Sequence, residues 1–64
     1  MNTVKTEMIR DAKKSVGGSS FMTTVEVAAW RHEDRRTVER KFKRCGIEKH
    51  SGRWFIPEIV EVFL

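Results

Sequence analysis

The run DRRTVERKFKRCG, from Asp34 to Gly46, constrains the fold more than any other stretch of the chain. It carries its own start and stop signals. Asp34 can cap a helix, because its carboxylate accepts from the free N–H groups of the first turn. Val38, Phe42 and Cys45 recur at i, i+4 and i+7, which places them on one side of an α-helix. Gly46 follows, where a left-handed residue closes a helix. The other eight positions from Arg35 to Arg44 are polar, and six of them are cationic. So thin an apolar seam cannot hold a short helix by itself. It needs seating by Val27, Trp30, Trp54, Ile56 and Ile59.

The segment just before it supplies a partner. Thr23 and Glu26 form a capping box, and Met22 and Val27 are placed for a hydrophobic staple. The helix that follows runs through Val27, Ala28, Ala29 and Trp30 and ends near Arg31. His32, Glu33 and Asp34 connect it to the basic helix. Two short helices joined this closely, the second cationic, have the shape of a helix-turn-helix.

Beyond Gly46 the period changes. Ile47 to His50 and Arg53 to Ile56 read as two strands separated by the turn dipeptide Ser51-Gly52. A two-stranded hairpin with its tip at residues 50–53 is expected, with Trp54 and Ile56 on the core side. Pro57 suits the first turn of a last helix. There Ile59, Val62 and Phe63 form the core stripe, with Val60 and Leu64 partly off it. That helix is apolar nearly all round, which leaves part of its surface without an assigned cover. At the other end, Val4, Met8, Ala12 and Val16 are spaced by four, followed by the linker-like Gly17-Gly18-Ser19-Ser20. Two readings stay open for residues 1–20. They are a flexible arm, or a weak helix over about 4–15 that docks on the domain or a partner. The fold class expected is α+β, mostly α: a small winged helix-turn-helix over 21–64, with the arm before it.

Size and charge narrow the function. A chain of 64 residues is short for an enzyme with a sequestered pocket. The single Cys rules out an internal disulfide framework and fits a reducing compartment. No apolar segment approaches a membrane span and no signal-peptide core opens the chain, so a cytoplasmic protein is expected. The net charge is +4 and the pI about 9.7. Residues 21–46 hold seven bases and four acids, whereas residues 47–64 hold two and three. A basic face on one element is the footprint of a nucleic-acid binder. Cys45, His32 and His50 have no zinc-ligand spacing, and no Gly-rich phosphate loop is present. No metal, cofactor, small-molecule ligand or catalytic residue is therefore expected. Trp30, Trp54 and the four Phe are expected in the core, with Phe55 facing away from Trp54.

With these residues laid out, the chain resembles the MerR-like winged-helix domain of the excisionase group. These are small DNA-binding proteins of phages and other integrated elements. The resemblance covers residues 21–64. It is carried by Thr23, Glu26 and Ala28, by the R-R-T-V start of the second helix (Arg35 to Val38), and by the G-R-W-x-I-P return (Gly52 to Pro57). The family usually has a small residue, often Gly, and then an apolar one in the turn. Here those places hold His32 and Glu33. Cys45 also replaces a more usual polar or small residue.

The resemblance implies a second helix in the major groove of double-stranded DNA and a wing on the neighbouring minor groove or backbone. Arg35, Arg36, Thr37 and Arg40 are then the base-reading candidates. Lys43, Arg44 and Thr24 are the phosphate candidates. Arg53, with Ser51, His50 and Lys49, would form the wing contact. Glu39 could accept from cytosine, but pairing with Arg35, Arg36 or Lys43 at helical spacing is the simpler expectation. The implied partners are DNA, an integrase and further copies of the chain near recombination sites. A transcriptional regulator on the same fold is the near alternative. A protein-interaction module using the last helix and the N-terminal stripe is the distant one.

Overall fold

In a computed structural model, which describes residues 3–64, the chain builds four helices and one two-stranded antiparallel sheet. The order is α1 (Thr3–Ser15), β1 (Phe21–Met22), α2 (Thr24–Arg31), α3 (Arg35–Arg44), β2 (Trp54–Phe55) and α4 (Ile56–Phe63). This is an α+β architecture of the winged-helix type, with a helix-turn-helix at its centre.

The local signals act as their chemistry requires. The Thr23 hydroxyl accepts from the Glu26 N–H at 3.2 Å, and the Glu26 carboxylate accepts from the Thr23 N–H at 2.8 Å. Asp34 Oδ1 accepts from the Arg36 N–H at 2.7 Å and opens α3. At the other end Gly46 takes φ 73°. The Ile47 N–H then reaches the Phe42 carbonyl and the Gly46 N–H the Lys43 carbonyl, both at 3.1 Å. This is a Schellman closure, and it satisfies two carbonyls that the helix leaves open.

The turn between α2 and α3 closes in the same way, on an unusual residue. His32 occupies the left-handed region at φ 55°, ψ 45°. Its N–H bonds the Ala29 carbonyl at 3.4 Å, and the Glu33 N–H bonds the Ala28 carbonyl at 2.9 Å. The backbone thus needs a left-handed residue here, a conformation that Gly adopts at least cost. Glu33 follows, half-buried. Its carboxylate pairs with Lys41 Nζ on α3 at 2.6 Å. An ion pair spans the turn.

The core gathers residues from every element. Met22, Val27, Val38, Phe42, Ile56, Ile59 and Val60 are fully buried, and Trp54 nearly so. Phe42 meets the Trp54 ring edge-on at 4.5 Å between centroids and Phe63 at 6.0 Å. Trp30, Phe21, Phe55 and Phe63 are half-buried. The Arg31 guanidinium lies 4.6 Å from the Phe63 ring centre and 5.4 Å from that of Trp30, a cation–π arrangement.

Several expectations are corrected. Val60 is fully buried, although the stripe placed it partly off the core face. The reason is α1. The stripe spaced by four forms a true helix that packs along α4, buries Ala12 completely and places Lys5 in an ion pair with Glu61. Of the two readings of the N-terminal segment, the structure takes the docked helix. Ala12 belongs to the same core as α2, α3 and α4, so the core does not begin at Phe21. The notional hairpin of 47–50 with 53–56 shrinks to its tip. His50 and Arg53 exchange backbone bonds at 2.6 and 3.2 Å around Ser51 and Gly52, which both have positive φ, as a type I′ turn requires. Trp54 and Phe55 then leave residues 47–49 and pair with Met22 and Phe21. That register puts Trp54 and Met22 on the buried face together. Cys45, expected on the buried seam, is exposed. The helix has ended at Arg44, and Phe42 already fills the space under its last turn.

Candidate nucleic-acid interface

The caps and the seam decide which way α3 faces. Val38 and Phe42 point into the core, while Thr37 and Lys41 flank them half-buried. Arg36, Arg40 and Lys43, at i, i+4 and i+7, therefore take the opposite side. Arg35, Glu39 and Arg44 border them. All six are exposed. Among the described residues, none of Arg35, Arg36, Arg40, Lys43 or Arg44 is in an ion pair. Lys41 differs from them. It is held by Glu33, and its Nζ lies 5.3 Å from the centre of the Phe63 ring. It serves the turn rather than the open face.

The start of α2, the start of α3 and the turn after His50 meet around one concavity. Thr23, Thr24, Val25, Arg35, Arg36, Glu39 and Gly52 line it. The structure therefore brings Thr24 beside Arg35 and Arg36, residues that are well separated in sequence. Thr24 is also oriented: the Trp54 indole N–H donates to its hydroxyl at 3.0 Å. That bond occupies a lone pair of the hydroxyl and leaves its proton for an outside acceptor.

The wing residues do not act as one group. Arg53 and Ser51 are exposed at the tip and line a second concavity with Phe21 and His50. The His50 ring turns toward the body of the protein. Its Nε2 lies 3.2 Å from Glu58 Oε1, and its ring meets Phe21 and Phe55 edge-on. Lys49 Nζ lies 5.5 Å from the centre of the Trp54 ring. Arg53 is therefore the one predicted wing base whose side chain has no partner among the described residues. Glu39 is also corrected: it forms no ion pair with Arg35, Arg36 or Lys43 within the described residues.

Sequence reasoning missed the Trp54–Thr24 bond and the exposure of Val25, which is 56%. The alternation that set Trp54 on the core side held no sign of where its N–H would go. Val25 could have been found, because it lies two residues before Val27 and so off the buried face of α2. Among the described residues, no cluster of His, Cys, Asp and Glu could hold a metal ion, and no helix is long and apolar enough to cross a membrane.

Compared with family models, with curated proteins and with solved structures, the chain shows no significant match.

Proposed function

We propose that this is a sequence-specific double-stranded DNA-binding protein of the excisionase type. It acts in the cytoplasm, near recombination sites. The observation that carries the reading is the open face of α3, where five exposed cations lack ion pairs among the described residues. Cations left free along a helix, beside a tight turn bearing a free Arg53, match the charge and width of a major groove. In this arrangement α3 lies in the major groove. Arg35, Arg36, Thr37 and Arg40 read bases, and Lys43, Arg44 and Thr24 hold phosphates. Arg53, with Ser51, touches the adjacent backbone or minor groove. His50 and Lys49 support the turn from the side of the body.

The protein carries no recombinase chemistry in this reading. It loads DNA, in several copies, and biases an integrase toward excision. A transcriptional regulator would use the same face. A protein-interaction module would use the surface of α4 that α1, packed along it, leaves open.

The test pairs a gel-shift series on attachment-site DNA with an integrase excision assay. Specific retardation together with stimulated excision is expected. Replacing Arg35 and Arg36 with Ala should abolish the specific complex. Tight promoter binding without any effect on excision would favour the regulator.

A further inference from the structure

The concavity beside α3 holds an acid among bases. Glu39 lines it with Arg35 and Arg36, is exposed, and has no ion pair among the described residues. Arg35, Arg36 and Lys43 all stand at helical spacing from it, where pairing would ordinarily occur. On a surface that meets phosphates, a free carboxylate weakens binding to DNA in general. The exception is DNA that sets an amino group against it. Such an element gains specificity by penalising the wrong partners.

The major groove offers two amino donors, cytosine N4 and adenine N6. Adenine carries its N7 acceptor next to N6, which repels the second carboxylate oxygen. Cytosine has no acceptor of its own on that edge. The geometry also fits a step along the groove, because Glu39 lies one helical turn beyond Arg35 and Arg36. We propose that Glu39 is a specificity-determining residue whose carboxylate accepts from the exocyclic amino group of a cytosine, beside a guanine held by Arg35 or Arg36. The proposal rests on the DNA-binding reading above.

The test selects sites from a randomised duplex pool with the wild-type protein. Affinities of wild type, Glu39→Gln and Glu39→Ala are then measured on the selected site and its single-base variants. Wild type should prefer cytosine at one position by about tenfold over other bases. Glu39→Gln should move that preference toward adenine, whose N6 and N7 suit an amide. Glu39→Ala should level the four bases there to within about threefold, while binding unrelated DNA more tightly than wild type. The side chain is exposed, so both variants should keep the wild-type far-UV circular dichroism. Unchanged base preferences in both variants would overturn the role of Glu39 and leave the DNA reading standing. Failure of the wild type to bind any duplex at low salt would overturn the DNA reading and this proposal with it.

Discussion

At the scale of the residue, His32 is the position where local chemistry and the backbone disagree. A left-handed conformation costs a residue with a Cβ about 1 kcal/mol or more. The two hydrogen bonds that close α2 hold it there. His32→Gly removes the steric cost and adds some entropy to the unfolded chain. The first effect is the larger, and a net gain of about 0.5–1 kcal/mol is expected. Thermal melting checks this, and a lower melting temperature in the variant would contradict it. The same residue shows where sequence legibility stopped. His32 and Glu33 stand out in the sequence as unusual residues for a tight helix-to-helix turn. Nothing near them in sequence says that Glu33 would reach Lys41, because that pair depends on the angle between two helices.

At the scale of the element, the capped helices were legible and the sheet was not. Thr23, Glu26, Asp34 and Gly46 act on backbone groups within a few residues of themselves, so α2 and α3 could be bounded from sequence alone. β1 is two residues long, and its partners Trp54 and Phe55 lie far along the chain. No local period could announce it. The basic face of α3 was legible for the same reason as its caps, whereas the concavity joining Thr24 to Arg35 and Arg36 needed the tertiary fold. The docking of α1 was half legible. Its stripe was visible, and so was the uncovered apolar surface of α4, but not that each answers the other. Ala12 is the residue of α1 that is fully buried in the common core. Ala12→Asp would place a carboxylate there with no compensating partner, at a cost of about 3–5 kcal/mol. A domain this small has roughly 3–10 kcal/mol in total. The variant should be largely unfolded at 37 °C, as read by circular dichroism. A melting temperature within a few degrees of wild type would mean that α1 is not part of the folded unit.

At the scale of the whole molecule, the charge is sorted rather than spread. Residues 47–64 have more acids than bases, and Glu58 and Glu61 both lie on α4, paired with His50 and Lys5. Among the described residues, the cations outside any ion pair include five on the open face of α3, Arg53 at the turn, and Arg10, Lys13 and Lys14 on α1. A plot of log affinity against log salt should therefore fall steeply, with a slope of about −3 or steeper. Removing Lys43 or Arg44 should reduce the slope by about one each and weaken binding evenly across sequences. A flat plot would exclude phosphate contact as the source of affinity. The pairing of α1 with α4 also bears on how the domain is made. About forty residues separate the end of α1 from the start of α4, which a ribosome adds in roughly two to eight seconds. A helix forms in about a microsecond. α1 is therefore made seconds before α4, the helix it packs along in the finished fold. Until α4 is made, the apolar stripe of α1 lacks the surface it packs along in the finished fold.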